Sequence, residues 1–139
     1  VIILDTNLVS EPMRRAPDQR VLNWIDAQTL NTLYLTAIST AELRAGVAVL
    51  PSGKRRDSLH YDLENTVLPH FTDRILAFDW ACTPAYAKVL ASSRKTGRAI
   101  GKADAFIAAI ALTHDYAVAT RNTEPFRAAG IRVINPWKY

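Results

Sequence analysis

Four short passages run apolar residues straight into a carboxylate or a carboxamide, and they constrain this chain more than any other feature. They are Val1-Ile2-Ile3-Leu4-Asp5, Ser39-Thr40-Ala41-Glu42, Gly101-Lys102-Ala103-Asp104 and Ala117-Val118-Ala119-Thr120-Arg121-Asn122. Three set an acid at the edge of a segment that reads as buried, and the fourth sets an amide there. A carboxylate withdrawn from water without a partner is strongly destabilised or takes up a proton. Several such groups converging make physical sense if a divalent cation lies between them. The pattern therefore predicts hard-metal chemistry.

The same passages set the fold. Val1 to Leu4 is an unbroken apolar, β-branched run ending at Asp5-Thr6-Asn7, which predicts a central strand leaving into a loop. Arg20 to Thr29 spaces Val21, Leu22, Trp24 and Ile25 for a helix, and Leu33 to Ala37 alternates toward a second strand. Ser39 to Leu50 predicts a helix stopped by Pro51-Ser52-Gly53. A further helix is predicted through Leu59, Leu63 and Val67, ending before Pro69. A brief strand follows at Arg74 to Phe78, then a helix over Ala85 to Lys95 that stops at Gly97. Lys102 to Thr113 is strongly amphipathic. Ala117 to Thr120 and Ile131 to Ile134 predict two last strands, with a turn or short helix at Glu124-Pro125-Phe126 between them. Alternating strands and helices predict an α/β protein with a parallel sheet. Sites in such sheets gather at the carboxyl ends of strands, where Asp5 and Asn122 fall.

Length and composition exclude several classes. At 139 residues, 49% of them hydrophobic and 22% charged, the chain fits one folded domain over 1–139. Asp5, Arg44 and Asp104 interrupt the best apolar runs, so none is long enough to cross a bilayer, and the run at the N-terminus is too short for a signal peptide. The single Cys82 allows no internal disulfide, which suits a cytoplasmic protein. Net charge is +4. Basic residues cluster at Arg14-Arg15, Lys54-Arg55-Arg56, Arg94-Lys95 with Arg98 and Lys102, and Arg121 with Arg127. Each cluster alone reads as a solvated face. Together, beside an acidic site, they point to a nucleic acid substrate.

Each acid also has a structural reading. Asp5 could cap a turn or a helix through backbone N–H groups. Ser39 to Glu42 has the spacing of a capping box, yet Ala45, Gly46 and Val49 put Glu42 on a small, apolar helix face. Asp104 shares its helix face with Ile107, Ala108 and Ala111. The helix dipole offers about 0.3–1 kcal/mol at an exposed site, too little to offset burial, so this acid needs a cation or a hydrogen-bonding partner.

Mg²⁺ and Mn²⁺ take oxygen ligands and retain waters that phosphate can displace. Such an ion activates water and neutralises charge on a phosphodiester under attack. Other chemistries fit less well. His60, His70 and His114 lack metal-ligand spacing, Cys82 has no nearby histidine, and no glycine-rich phosphate loop is present. Trp24, Trp80 and Trp137 are dispersed, as packing residues are.

With these residues in view the chain resembles a known family. Asp5-Thr6-Asn7 after an apolar strand, Ala41-Glu42-Leu43-Arg44 with Gly46, Ala103-Asp104 opening a helix, and Thr120-Arg121-Asn122-Thr123 resemble the ordered signature of PIN-domain nucleases. The closing Val133-Ile134-Asn135-Pro136-Trp137 is similar to endings in the VapC and FitB toxin branch. The resemblance spans essentially the whole chain. It implies an α/β/α sandwich around a mainly parallel sheet and Mg²⁺- or Mn²⁺-dependent endoribonuclease activity. It also implies a homodimer and a small cognate DNA-binding antitoxin, through which alone operator DNA would be reached. Matched residue by residue, Asp5, Glu42 and Asp104 carry over as catalytic metal ligands. Position 122, often a fourth Asp in the family, is Asn122 here, and a weak or water-mediated contact to the ion is expected of it. Thr6, Asn7, Thr120, Arg121 and Glu124 are expected around the ion or against substrate. The rival expectation is a catalytically weak PIN-like subunit acting mainly in a DNA-binding complex with its antitoxin.

Overall fold

The computed structural model describes all 139 residues. Strand β1 spans Ile2–Leu4, β2 Leu33–Thr36, β3 Ile75–Leu76, β4 Ala117–Ala119 and β5 Val133–Ile134. They form one sheet in the order β3-β2-β1-β4-β5, and every neighbouring pair is parallel. The helices are α1 Thr6–Ser10, α2 Gln19–Ala27, α3 Ala37–Ala48, α4 Lys54–Asp62, α5 Thr83–Thr96, α6 Lys102–His114 and α7 Glu124–Ala128.

The strands are short, but both sheet faces are covered, which is why they read as unbroken apolar runs. Side chains along a strand alternate between faces. Leu4, Leu33, Leu35 and Ala119 therefore join one core with Leu8, Val21, Trp24, Leu43 and Trp137. Ile3 and Val118 join the other core with Ile107, Ile110, Val89 and Phe126. The result is an α/β/α sandwich. From β1 the chain steps to β2 and β3 on one side with α1 to α4, then returns past β1 to β4 and β5 with α5 to α7 on the opposite face. A single crossover hand requires that division. The step direction reverses between β1 and β4, so their carboxyl ends open a crevice at the switch point.

Local chemistry fixed several boundaries differently from the sequence reading. Helix α3 begins at Ala37, not Ser39, because buried Thr36 is its N-cap and Thr36 Oγ1 accepts from Ser39 N at 3.0 Å. Ser39 and Glu42 consequently form no capping box. The helix predicted through Val67 is α4 followed by a π-turn over Leu63–Val67, and the two late edge strands shrink to two residues each. Helix α1 starts directly after Asp5, where the sequence predicts a loop. Trp24 and Trp137 are buried as expected, whereas Trp80 is 89% exposed.

Candidate functional site

Asp5 sits where β1 ends. Its backbone N–H still donates to Ala119 O at 3.0 Å, so the β1–β4 ladder runs up to the acid itself. Its side chain caps α1, with Oδ1 accepting from Thr6 N at 2.8 Å, while Oδ2 accepts from the Thr120 hydroxyl at 2.7 Å. The capping role and a place in the crevice therefore coexist. Asp5 is buried, and that desolvation raises its carboxyl above the usual range against the opposing effect of the Thr120 and Thr6 hydrogen bonds. The Glu42 charge raises it further.

Glu42 reaches the crevice from α3. Its Oε1 accepts from the Thr6 hydroxyl at 2.6 Å. The apolar face that the sequence suggested for it is in fact solvent-exposed: Ala45 and Gly46 are open, and Val49 is 80% exposed. Leu43 and Val47 instead hold α3 to the core, because the buried stripe lies one residue round from Glu42.

Asp104 stands in the first turn of α6, half-buried above Ile107 and Ala108. Desolvation pushes its carboxyl up to about 6, and the charges of Asp5 and then Glu42 add to the effect. The Asn122 amide opposes it, donating from Nδ2 to Asp104 Oδ2 at 3.1 Å. A carboxylate only accepts, so the amide must turn its NH₂ toward Asp104. Asn122 N also donates to Thr120 Oγ1 at 3.0 Å. The segment after β4 thus ties Asp5 to Asp104, and Thr6 ties Asp5 to Glu42.

Three acids from separate elements consequently feel one another's charge, and none of the five ion pairs in the chain involves them. Their side chains are turned to Thr6, Thr120 and Asn122, and no three acidic, imidazole or thiol groups close into a ready-made metal cage. Like charges gathered without a cationic side chain, on oxygen donors only, match a hard cation that keeps much of its water. Asp5, Glu42 and Asp104 could hold it.

The remaining predicted residues divide. Thr6 and Thr120 belong to the hydrogen-bond frame of the acids. Asn7 Oδ1 accepts from Arg121 N at a long 3.5 Å, and the Arg121 guanidinium lies 5.6 Å from the Trp137 ring centre instead of among the carboxylates. Glu124, at the start of α7, is paired with Arg98. The sequence shows Arg98 within a basic cluster but carries no signal of its pairing with Glu124, because the two are twenty-six positions apart.

An all-parallel five-stranded sandwich with acids converging at the switch point defines a class, that of α/β/α proteins built around an acidic crevice. The PIN-domain family model matches residues 2–131. The chain belongs to the PIN-domain family and, within it, to the VapC/FitB toxins. It is 51% identical to VapC ribonuclease Y4jK of Sinorhizobium fredii over 99% of both chains. It is 47% identical to Toxin FitB of Neisseria gonorrhoeae, again over 99% of both, and 60% identical to plasmid stability protein StbB of Pseudomonas syringae over the same share. The crystal structure of FitAcB from Neisseria gonorrhoeae superposes with a TM-score of 0.95, at 46% identity and full coverage of both chains. The structure of FitAB bound to an IR36 DNA fragment matches with the same TM-score at 45% identity, covering 99% of this chain and 96% of that one.

Proposed function

We propose that residues 1–139 act as one PIN domain and as the toxin of a toxin–antitoxin pair, a Mg²⁺- or Mn²⁺-dependent endoribonuclease. The observation that carries this reading is the convergence of Asp5, Glu42 and Asp104 with no cationic partner, in a chain about half identical to a VapC ribonuclease. A bound divalent ion would supply an acidified water and neutralise charge on the phosphodiester.

The chain's own residues do the rest. Asp5, Asp104 and Glu42 would hold the ion, reaching the crevice from the end of β1, the first turn of α6 and α3. Thr120 and Thr6 fix carboxylate orientation by donating to Asp5 Oδ2 and Glu42 Oε1, so little reorganisation is needed when substrate arrives. Asn122 offers the site a neutral amide where an acid would add charge. The chain's net charge of +4 favours the approach of RNA. The cognate DNA-binding antitoxin and operator contact through it are part of the same proposal, supported by the likeness to FitAB bound to DNA; the homodimer is proposed on the family resemblance alone. No helix is long and apolar enough to cross a membrane.

Asn122 in place of an acid favours a second reading, a weakly catalytic subunit of a DNA-binding complex. One assay separates the two. Purified protein free of antitoxin should cut RNA with Mg²⁺ or Mn²⁺, EDTA should stop it, and Asp104→Asn should reduce cutting by several orders of magnitude while the circular dichroism spectrum stays unchanged. Undiminished cutting by Asp104→Asn would overturn the assignment.

A further inference from the structure

A groove of about 510 Å³ lies beside the acids, between the end of α5 and helix α7. That is within the usual size of small-molecule sites, about 300–1,000 Å³. It is continuous with the site, because Asn122 lines it and also donates to Asp104. Ile100, Pro125, Ala128 and Ala129 give it apolar surface, and Ser92 and Thr96 add hydroxyls. Its charged groups are Arg98 and Glu124, held in an ion pair.

The chain places Arg98 by a defined device. Helix α5 ends in a Schellman motif: Gly97, with φ of +70°, donates to Arg94 O at 3.3 Å, and Arg98 N donates to Ser93 O at 3.1 Å. Ser93 Oγ then donates to Arg98 O. The backbone at Arg98 is thereby fixed on the groove wall, while its side chain stays about two-thirds exposed. An exposed pair such as Arg98–Glu124 contributes little and exchanges readily. A phosphate offers the guanidinium a bidentate partner of higher charge.

We propose that this groove seats one nucleotide of the RNA next to the scissile phosphate, with Arg98 leaving Glu124 to take that nucleotide's phosphate. The inference rests on the ribonuclease reading and adds to it a subsite and a residue that position the substrate. The base lies against Ile100, Pro125 and Ala128 with the Ser92 and Thr96 hydroxyls at its edge, so the groove filters sequence beside the cut. Glu124 keeps Arg98 neutralised until RNA displaces it.

The test measures binding of a fluorescent, short single-stranded RNA of mixed sequence to the intact chain in EDTA, over a series of salt concentrations. Arg98→Ala should raise Kd about tenfold and lower the log–log salt slope by about 0.7, the loss of one phosphate contact. Arg98→Lys should keep the slope, and Glu124→Gln should tighten binding. On a long RNA with Mn²⁺, Ala128→Trp and Ser92→Trp, two exposed positions on opposite walls, should each change which positions are cut. Unaltered Kd and slope in Arg98→Ala, with unaltered cut positions in both tryptophan variants, would overturn the subsite while cutting by the parent left the ribonuclease reading intact. Failure of the parent to cut any RNA would sink that reading instead. Loss of a co-expressed antitoxin from the tryptophan variants, with RNA binding and cut positions untouched, would assign the groove to protein and also overturn the proposal.

Discussion

Asp104 concentrates the electrostatic strain of the crevice. Its carboxyl is held at about 6 in the folded chain against an ordinary 3.8, so between those values the folded state binds more protons than the unfolded one. The stability contributed by its protonated form is fully present below the unfolded value and is lost as pH rises through about 6. Asp5 is displaced in the same direction by burial. In metal-free buffer, the melting temperature of the parent should fall relative to that of Asp104→Asn as pH is raised from about 4 to about 7. The Asp18–Arg20 pair, which lowers the Asp18 carboxyl to about 2, is common to both proteins and cancels in that difference. A difference that does not change with pH would mean that burial, with the neighbouring charges, does not raise the Asp104 carboxyl. Asn122 makes a second residue-scale case. An amide brings no negative charge, so Asn122→Asp should tighten Mn²⁺ binding in the crevice, and calorimetric titration of both forms should give distinct isotherms. Identical isotherms would place position 122 outside the ion's surroundings. Of the acids, Asp5 is legible in the sequence because it ends a buried run, whereas Ala41 before Glu42 and Gly101 and Lys102 before Asp104 are exposed. The hydroxyl frame of the acids is less legible: a threonine looks the same whether it packs or donates to a carboxylate 115 positions away, as Thr120 does to Asp5.

Helix α3 shows how an element can be placed by a residue outside the pattern used to read it. Its start depends on Thr36, buried at the end of β2 and accepting from Ser39 N. Thr36→Ala should cost about 1–2 kcal/mol, seen as a lower urea midpoint with an unchanged slope. It should also loosen Glu42, which rides on the same helix. A midpoint within error of the parent would show that the strand end alone sets the helix. Helix α6 carries Asp104 through packing: Ile107, one turn on, is fully buried. Most elements are legible from periodicity, and the helix at Lys102 has almost the bounds the sequence predicts, but it is not amphipathic. Ala105, Ala108 and Ala109 are buried along with Ile107, Ile110 and Ala111, so most of its length is covered on nearly all sides. Helix α1 was missed because five residues give too little periodicity, and because Asp5-Thr6-Asn7 carries the same turn chemistry whether a loop or a helix follows. The inward face assigned to Glu42 failed for a related reason. Small residues at Ala45 and Gly46 satisfy helical spacing without being buried, and only Leu43 and Val47 marked the true core stripe.

At the scale of the molecule, the order β3-β2-β1-β4-β5 brings ends far apart in sequence to one crevice. Alternation of strands and helices announced a parallel sheet, but which strands flank β1 is settled by packing on both faces and could not be read from the chain alone. The proposed toxin role belongs to this scale. Expression of the chain alone should arrest growth, co-expression with its antitoxin should relieve the arrest, and Glu42→Gln should be tolerated. A Glu42→Gln protein as harmful as the parent would contradict a catalytic cause. If Asp5, Glu42 and Asp104 are gathered to hold a divalent cation, they do so at a cost to stability when no cation is bound. Thermal melts of the parent and Asp104→Asn, each with and without Mn²⁺, test it most directly. Without metal, Asp104→Asn should melt at or above the parent; with Mn²⁺, the parent should rise through mass action while the variant stays put. A variant that melts several degrees lower without metal, or gains as much from Mn²⁺ as the parent, would show that Asp104 is a structural residue and not a metal ligand.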